Sequence, residues 1–200
     1  MTKNEIKKIC EKYKITNYTI NNDMTIDVDG DVDLSFKQLY ELPLNFNRVN
    51  GFFDCSHNTL NSLKGSPNYV GHYFSCSQNI LYSLRYSPSY VNEDFYCIDN
   101  RLSSLQYSPE IVKGNFGFNK NNIRTFDYFP DVGKYLLSNY NPIDDLWILF
   151  ADKKHIDYFN ELDIIQKDGK VVILDRLNYF LTDIGKEEIS KDYIKNYKVI

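Results

Sequence analysis

Apolar and polar positions alternate along this chain in short bursts that return at a fixed interval. Phe53-Asp54-Cys55-Ser56 sends two apolar side chains to one side of an extended segment and two polar ones to the other, the period-two pattern of a half-buried strand. The burst recurs at Phe74, Phe95 and Phe116, each 21 residues after the last, with Cys76, Cys97 and Phe118 following in the Cys55 place. Asn58, Asn79, Asn100 and Asn121 keep the same step, as do Leu60, Leu81, Leu102 and Ile123, then Leu63, Leu84, Leu105 and Phe126. Pro67, Pro88, Pro109 and Pro130 close each unit, and Val49, Val70, Val91 and Val112 open it. A degenerate copy comes first (Val32, Leu34, Leu39, Leu42, Phe46), and another follows after a step of 20 (Val132, Leu136, Ser138, Asn141, Ile143, Leu146). Weakened units at both ends suit a stacked array, whose terminal coils have a neighbour on one side only.

Stacking such coils in register places Phe on Phe and Cys on Cys at the roughly 4.8 Å spacing of a parallel sheet, so the inward face becomes a continuous dry core. Asn after the strand can satisfy backbone groups that the inward turn leaves unpaired. Ser-Pro then suits an irregular return arc with a fixed φ.

The flanks have a different rhythm. Apolar residues at helical spacing over Asn4–Tyr13 predict an N-terminal amphipathic helix, and Tyr18–Ile20 and Thr25–Val28 around an Asn-Asn-Asp turn predict a hairpin. Beyond the repeats, Asn141-Pro142 predicts a helix start, with Ile143, Leu146, Trp147, Leu149 and Phe150 available to cover the open end of the core. A second helix is expected from about Asp152 to Glu161. A hairpin is expected at Asp168-Gly169, between Ile164-Ile165 and Val171–Ile173, and a last helix over Asp175–Ile184, stopped at Gly185. The expected organisation is a helix and hairpin cap over residues 1–29, a solenoid over 30–146 and a helical cap over 147–200.

The motif Phe-x-Cys-x-x-Asn-x-Leu-x-x-Leu resembles the leucine-rich-repeat signature, with Phe and Cys in place of two leucines. Over about residues 30 to 146 the chain looks like the short repeats of uncharacterised bacterial and phage leucine-rich-repeat proteins. That resemblance implies an α+β solenoid with one parallel sheet face and caps at both ends. It implies no reaction, because the family is defined by its scaffold.

Composition narrows the setting. The chain is 42% hydrophobic and 25% charged, which is ordinary for a folded protein. A net charge of −4 repels nucleic acid and anionic lipid. Met1 to Cys10 is polar and no apolar run follows, so neither a signal peptide nor a membrane span is expected, and the expected location is cytoplasmic. Tyr (17), Phe (13), Asn, Lys and Ile are frequent and Ala occurs once, at Ala151, as AT-rich coding would produce.

Candidate chemistry is thin. Three evenly spaced cysteines invite a metal or redox reading, but stacking makes their sulfurs collinear, whereas zinc needs about four converging ligands. Neighbouring in-register strands also hold Cβ atoms too far apart for disulfides, so packing is the expected role. The acidic run Asp27–Asp33 resembles a calcium loop, but its Gly is misplaced and the twelfth position is Gln38 rather than Glu; a strand with one buried face is expected instead. His57 follows Cys55 closely, yet the thiol should point inward and the imidazole outward, while His72 and His155 are expected to be solvated. The chain has no phosphate-binding glycine loop, paired-His motif or nucleophile elbow. No catalysis, cofactor or metal is expected.

Binding is expected on the outward residues of the sheet, which vary while the inward ones repeat. These columns read Phe52, Tyr73, Asp94, Asn115; then Asp54, Ser75, Tyr96, Gly117; then Ser56, Ser77, Ile98, Asn119; and, at the exit, His57, Gln78, Asp99, Lys120. Phe52, Tyr73, Tyr96 and Ile98 would make an apolar strip rimmed by Asp54, Asp94 and Asp99, suited to a protein with a basic surface. The expected function is a non-catalytic protein-binding module. The resemblance and the AT-rich composition point to a phage protein acting in the host cytoplasm on a host factor or defence complex, for example as an anti-CRISPR. Single-stranded nucleic-acid binding and a structural or assembly role are the alternatives.

Overall fold

The computed structural model describes residues 1–166 and 169–200. Helix α1 (Lys3–Lys12) comes first, followed by strands β1 (Tyr18–Ile20), β2 (Ile26–Val28), β3 (Val32–Asp33), β4 (Phe46–Val49), β5 (Phe53–Asp54), β6 (Tyr69–Val70), β7 (Phe74–Ser75), β8 (Tyr90–Val91), β9 (Phe95–Tyr96), β10 (Ile111–Val112), β11 (Phe116–Gly117) and β12 (Leu136–Leu137). The chain ends with α2 (Asp144–Phe150), α3 (Ile156–Glu161), β13 (Val171–Val172), α4 (Leu174–Asp183) and β14 (Lys198–Val199).

The repeats build a parallel β-solenoid of about five turns. Each coil crosses two sheets, not the single sheet face expected from the sequence. The first runs β1-β2-β4-β6-β8-β10 and the second β12-β11-β9-β7-β5-β3, six strands each. Register follows the repeat, pairing Val49 with Val70, Val70 with Val91 and Val91 with Val112 in one sheet, and Phe53 with Phe74, Phe74 with Phe95 and Phe95 with Phe116 in the other. The first sheet left only its buried valines as a sign, because strands of two residues are too short to show alternation. The third side of each coil, from Leu60 through Pro67 and its equivalents, is a return arc without strand. The step of 20 is absorbed with the ladder intact, Phe116 pairing with Leu136.

Two stacks hold the coils together. Phe53, Phe74, Phe95 and Phe116 are fully buried and lie nearly face to face, with ring centroids 5.5, 5.2 and 5.0 Å apart in turn. The asparagines form the second. Asn79 Nδ2 donates to Cys76 O at 3.1 Å and, in the preceding coil, to Cys55 O at 3.0 Å, while its Oδ1 accepts from Leu60 N at 2.9 Å. Asn58, Asn100, Asn121 and Asn141 reach back in the same way, with Oδ1 accepting from Leu39, Leu81, Leu102 and Ile123 N–H groups. A single amide thus bonds backbone groups in two coils at once.

The residue before each asparagine adopts positive φ: His57 (55°), Gln78 (53°), Asp99 (56°) and Lys120 (55°), with Tyr140 at 67° in the last coil. This left-handed step turns the chain so that the next amide points inward.

At the N-terminal end, α1 starts with a capping box between Thr2 and Glu5 and buries Ile6 and Cys10. β1 and β2 form the expected antiparallel hairpin. At the other end Phe126, Trp147, Phe150, Phe159 and Phe180 pack mostly edge to face around the last coils. The helix expected at Asn141-Pro142 begins at Asp144 instead, because the Asn141 side chain continues the asparagine ladder and only its backbone N–H meets Asp144 Oδ2, at 2.9 Å. The expected hairpin turn includes Asp168, which lies outside the described residues; its arms meet through an antiparallel bridge between Ile165 and Val172. β13 also pairs in parallel with β14.

Candidate binding surface

The expected strip is brought together on the second sheet, but its aromatic rings are already partly used. Phe52 and Tyr73 are half-buried and stack face to face, 4.9 Å apart and 7° from parallel, so they present edges outward. Tyr96 lies across Gly117: a Cβ added there would sit 2.8 Å from Tyr96 Cδ1 and 3.3 Å from Ile98 Cδ1. The missing side chain at Gly117 is the space that Tyr96 and Ile98 fill, making these two and the glycine one patch.

The acidic rim divides by role. Asp94 is a structural corner residue as well as a rim residue, with Oδ1 accepting from Asn115 N at 2.6 Å and Oδ2 from Tyr96 Oη at 2.6 Å. Its burial works to raise the carboxyl pKa, but the hydrogen bonds from Tyr96 and Asn115 outweigh it and hold the pKa below the ordinary range. Tyr96 is raised in turn, by burial first and then by its bond to Asp94. Asp54 is half-buried, and its Oδ1 accepts from Ser56 N at 2.9 Å within its own coil. Asp99 is exposed on the left-handed exit step.

Sequence reading stopped the columns one coil early. The register of Phe116 with Leu136 puts Tyr135 in the Phe52 column, Leu137 in the Asp54 column and Tyr140 at the exit. They are 71%, 37% and 77% exposed, making the last coil the most open apolar part of the sheet. The step of 20 hid them, and counting back from Asn141 would have revealed them.

The thiols sit where packing predicts. Cys55, Cys76 and Cys97 are free and fully buried, and Cys55 Sγ donates to Ser75 O at 3.4 Å. Burial pushes all three pKa values far up, which keeps them protonated and unreactive. His57 points outward and stacks on Phe36 at 3.9 Å; His72 is exposed, whereas His155 is half-buried with its ring edge-on to Phe180. Among the described residues no group of three His, Cys, Asp or Glu side chains is placed to hold a metal ion, and no helix is long and apolar enough to cross a membrane.

The first sheet carries a smaller outward stack. Tyr69 and Tyr90 lie parallel at 5.2 Å, with the Arg48 guanidinium 4.0 Å over Tyr69 and Lys113 Nζ 5.5 Å from the Tyr90 ring. Comparison with known proteins finds no matching family model, no matching curated protein and no matching solved structure.

Proposed function

We propose that this chain is a non-catalytic protein-binding scaffold whose second sheet docks a partner with a basic surface. The observation that carries the reading is the contrast between columns: inward positions repeat Phe, Cys, Asn and Leu, while outward positions vary from coil to coil. The variable positions gather Phe52, Tyr73, Tyr96 and Ile98 beside Asp54, Asp94 and Asp99. Aromatic anchors within an acidic rim favour a cationic partner surface.

The finer proposal is a leucine-rich-repeat scaffold with a helix and hairpin cap before it and a helical cap after it. The 21-residue period and the inward-turned asparagine support this reading. A phage origin, and action in the host cytoplasm on a defence complex such as a CRISPR effector, rest on the family resemblance and the AT-rich composition.

The test is capture of host proteins on the tagged chain, run beside an Asp54→Lys/Asp99→Lys variant. Both side chains reach solvent, so the variant should stay folded. A specific partner retained by the parent and lost by the variant is expected. A partner retained equally by both would overturn the assignment to this sheet.

A further inference from the structure

The return-arc side of the solenoid has a composition found on neither sheet. The arcs 59–67, 80–88 and 101–109 carry Lys64, Arg85 and Arg101 and no Asp or Glu, in a chain whose net charge is −4. Glu41 and Asp127 bound this stretch in the arcs before and after it. Tyr82, Tyr86 and Tyr107 stand among the cations, 62%, 49% and 54% exposed.

Two of these tyrosines occupy backbone that disfavours them. In each arc a turn closes from the residue after the left-handed one to the leucine three before it, as in Ser66 N to Leu63 O, Ser87 N to Leu84 O and Ser108 N to Leu105 O. The third residue of that turn has positive φ in every case. It is glycine once, Gly65 at 98°, but Tyr86 at 72° and Tyr107 at 68° in the next two coils. Glycine is the residue that geometry favours, and bulky side chains there are strained. Packing does not explain the tyrosines, because both point into solvent. Tyr128 repeats the arrangement in the following arc, at 61° and 59% exposed, so the strained exposed tyrosines run along the arc side and favour a contact role there, while the cations set which part of it is basic.

The chemistry of the surface selects its occupant. The Arg85 guanidinium lies 5.1 Å from the Tyr86 ring centre, and that of Arg101 lies 5.6 Å from the Tyr82 ring centre while its Nη1 donates to Tyr82 Oη at 2.7 Å. Guanidinium groups thus hold one ring face each of Tyr82 and Tyr86, faces that a nucleic-acid base would use for stacking. What remains outward is a set of cationic donors that match carboxylates, carried by Tyr and Arg, the residue types that dominate protein interfaces. We propose that the return-arc side docks an acidic segment of a partner protein, making it a second binding surface of opposite sign to that on the second sheet.

The test uses the full chain and a fluorescent random copolymer of Glu and Tyr as the acidic probe, read by anisotropy at low and high salt. A Lys–Tyr copolymer and oligothymidylate serve as the contrasting probes. Saturable, salt-sensitive binding of the Glu–Tyr copolymer is expected, weakened about tenfold or more in Lys64→Gln/Arg85→Gln/Arg101→Gln. Tyr86→Gly/Tyr107→Gly suits the turn backbone, so it keeps the fold and should weaken binding to a similar degree. Asp54→Asn/Asp99→Asn should leave Glu–Tyr binding unchanged, which separates this surface from the sheet surface. Absence of binding by the parent chain, or binding untouched by both arc variants, would overturn the proposal. Preference for oligothymidylate would overturn it too, and would mark the arcs as a nucleic-acid surface.

Discussion

At the scale of single residues, the asparagines do more than the repeat pattern requires. The sequence shows an amide at each turn, and its role in satisfying backbone groups follows from where it stands. That each amide also reaches into the preceding coil is invisible in one unit, because it depends on how two coils stack. Replacing Asn79 with Ala would strand the Leu60 N–H in a dry interior and remove one of the two amide donors to each of the Cys55 and Cys76 carbonyls, which Asn58 and Asn100 would still meet. The expected loss is about 2–4 kcal/mol, measured as a shift in urea midpoint. Asp94 is similar: its charge is legible in the sequence, but its hold on the Asn115 N–H in the next coil is not. Since the folded carboxyl is held below its ordinary pKa, the unfolded chain binds the proton more readily. Asp94 therefore adds stability above the ordinary aspartate pKa of about 3.9, and that contribution disappears as pH falls through the folded value. The difference in urea midpoint between the parent and Asp94→Asn should grow as pH rises through this range and flatten above it.

At the scale of elements, the in-register sheet explains both what was legible and what was not. Phe and Cys columns announced the second sheet because alternation survives across Phe53–Ser56. The first sheet, reduced to Tyr69–Val70 and its equivalents, offered one buried valine per coil and no alternation to read. Stacking also consumes ring faces, as in the pairs Phe52–Tyr73 and Tyr69–Tyr90, so an aromatic column does not translate directly into binding area. The same register keeps the thiols inert. With Cys10, Cys55, Cys76 and Cys97 all buried and raised in pKa by that burial, a disulfide reagent such as DTNB should react very slowly with the native chain. All four thiols should appear at once in denaturant. Fast labelling of one thiol in the native state would show that its coil opens locally.

At the scale of the whole molecule, each coil touches only its neighbours, so the array should tolerate a change in length better than a change in register. Removing residues 74–94 joins Tyr73 to Phe95 and preserves every column, since Phe74 and Phe95 hold equivalent places. The shortened chain should keep its circular dichroism spectrum and unfold with a smaller denaturant slope, because less surface is exposed. Removing one residue fewer from the same place leaves Asp94 as an extra residue before Phe95, where it must bulge or turn Phe95 out of its stack, and should lower the urea midpoint more than the whole-coil deletion does.

The hydrogen bonds between coils run along the solenoid axis, which makes the asparagine and phenylalanine stacks a chain of links in series. Stretched between its ends, such a molecule should behave as a ratcheted spring, giving way one turn at a time. Each 21-residue turn would release about 70 Å of slack, readable as evenly spaced drops in a single-molecule force trace.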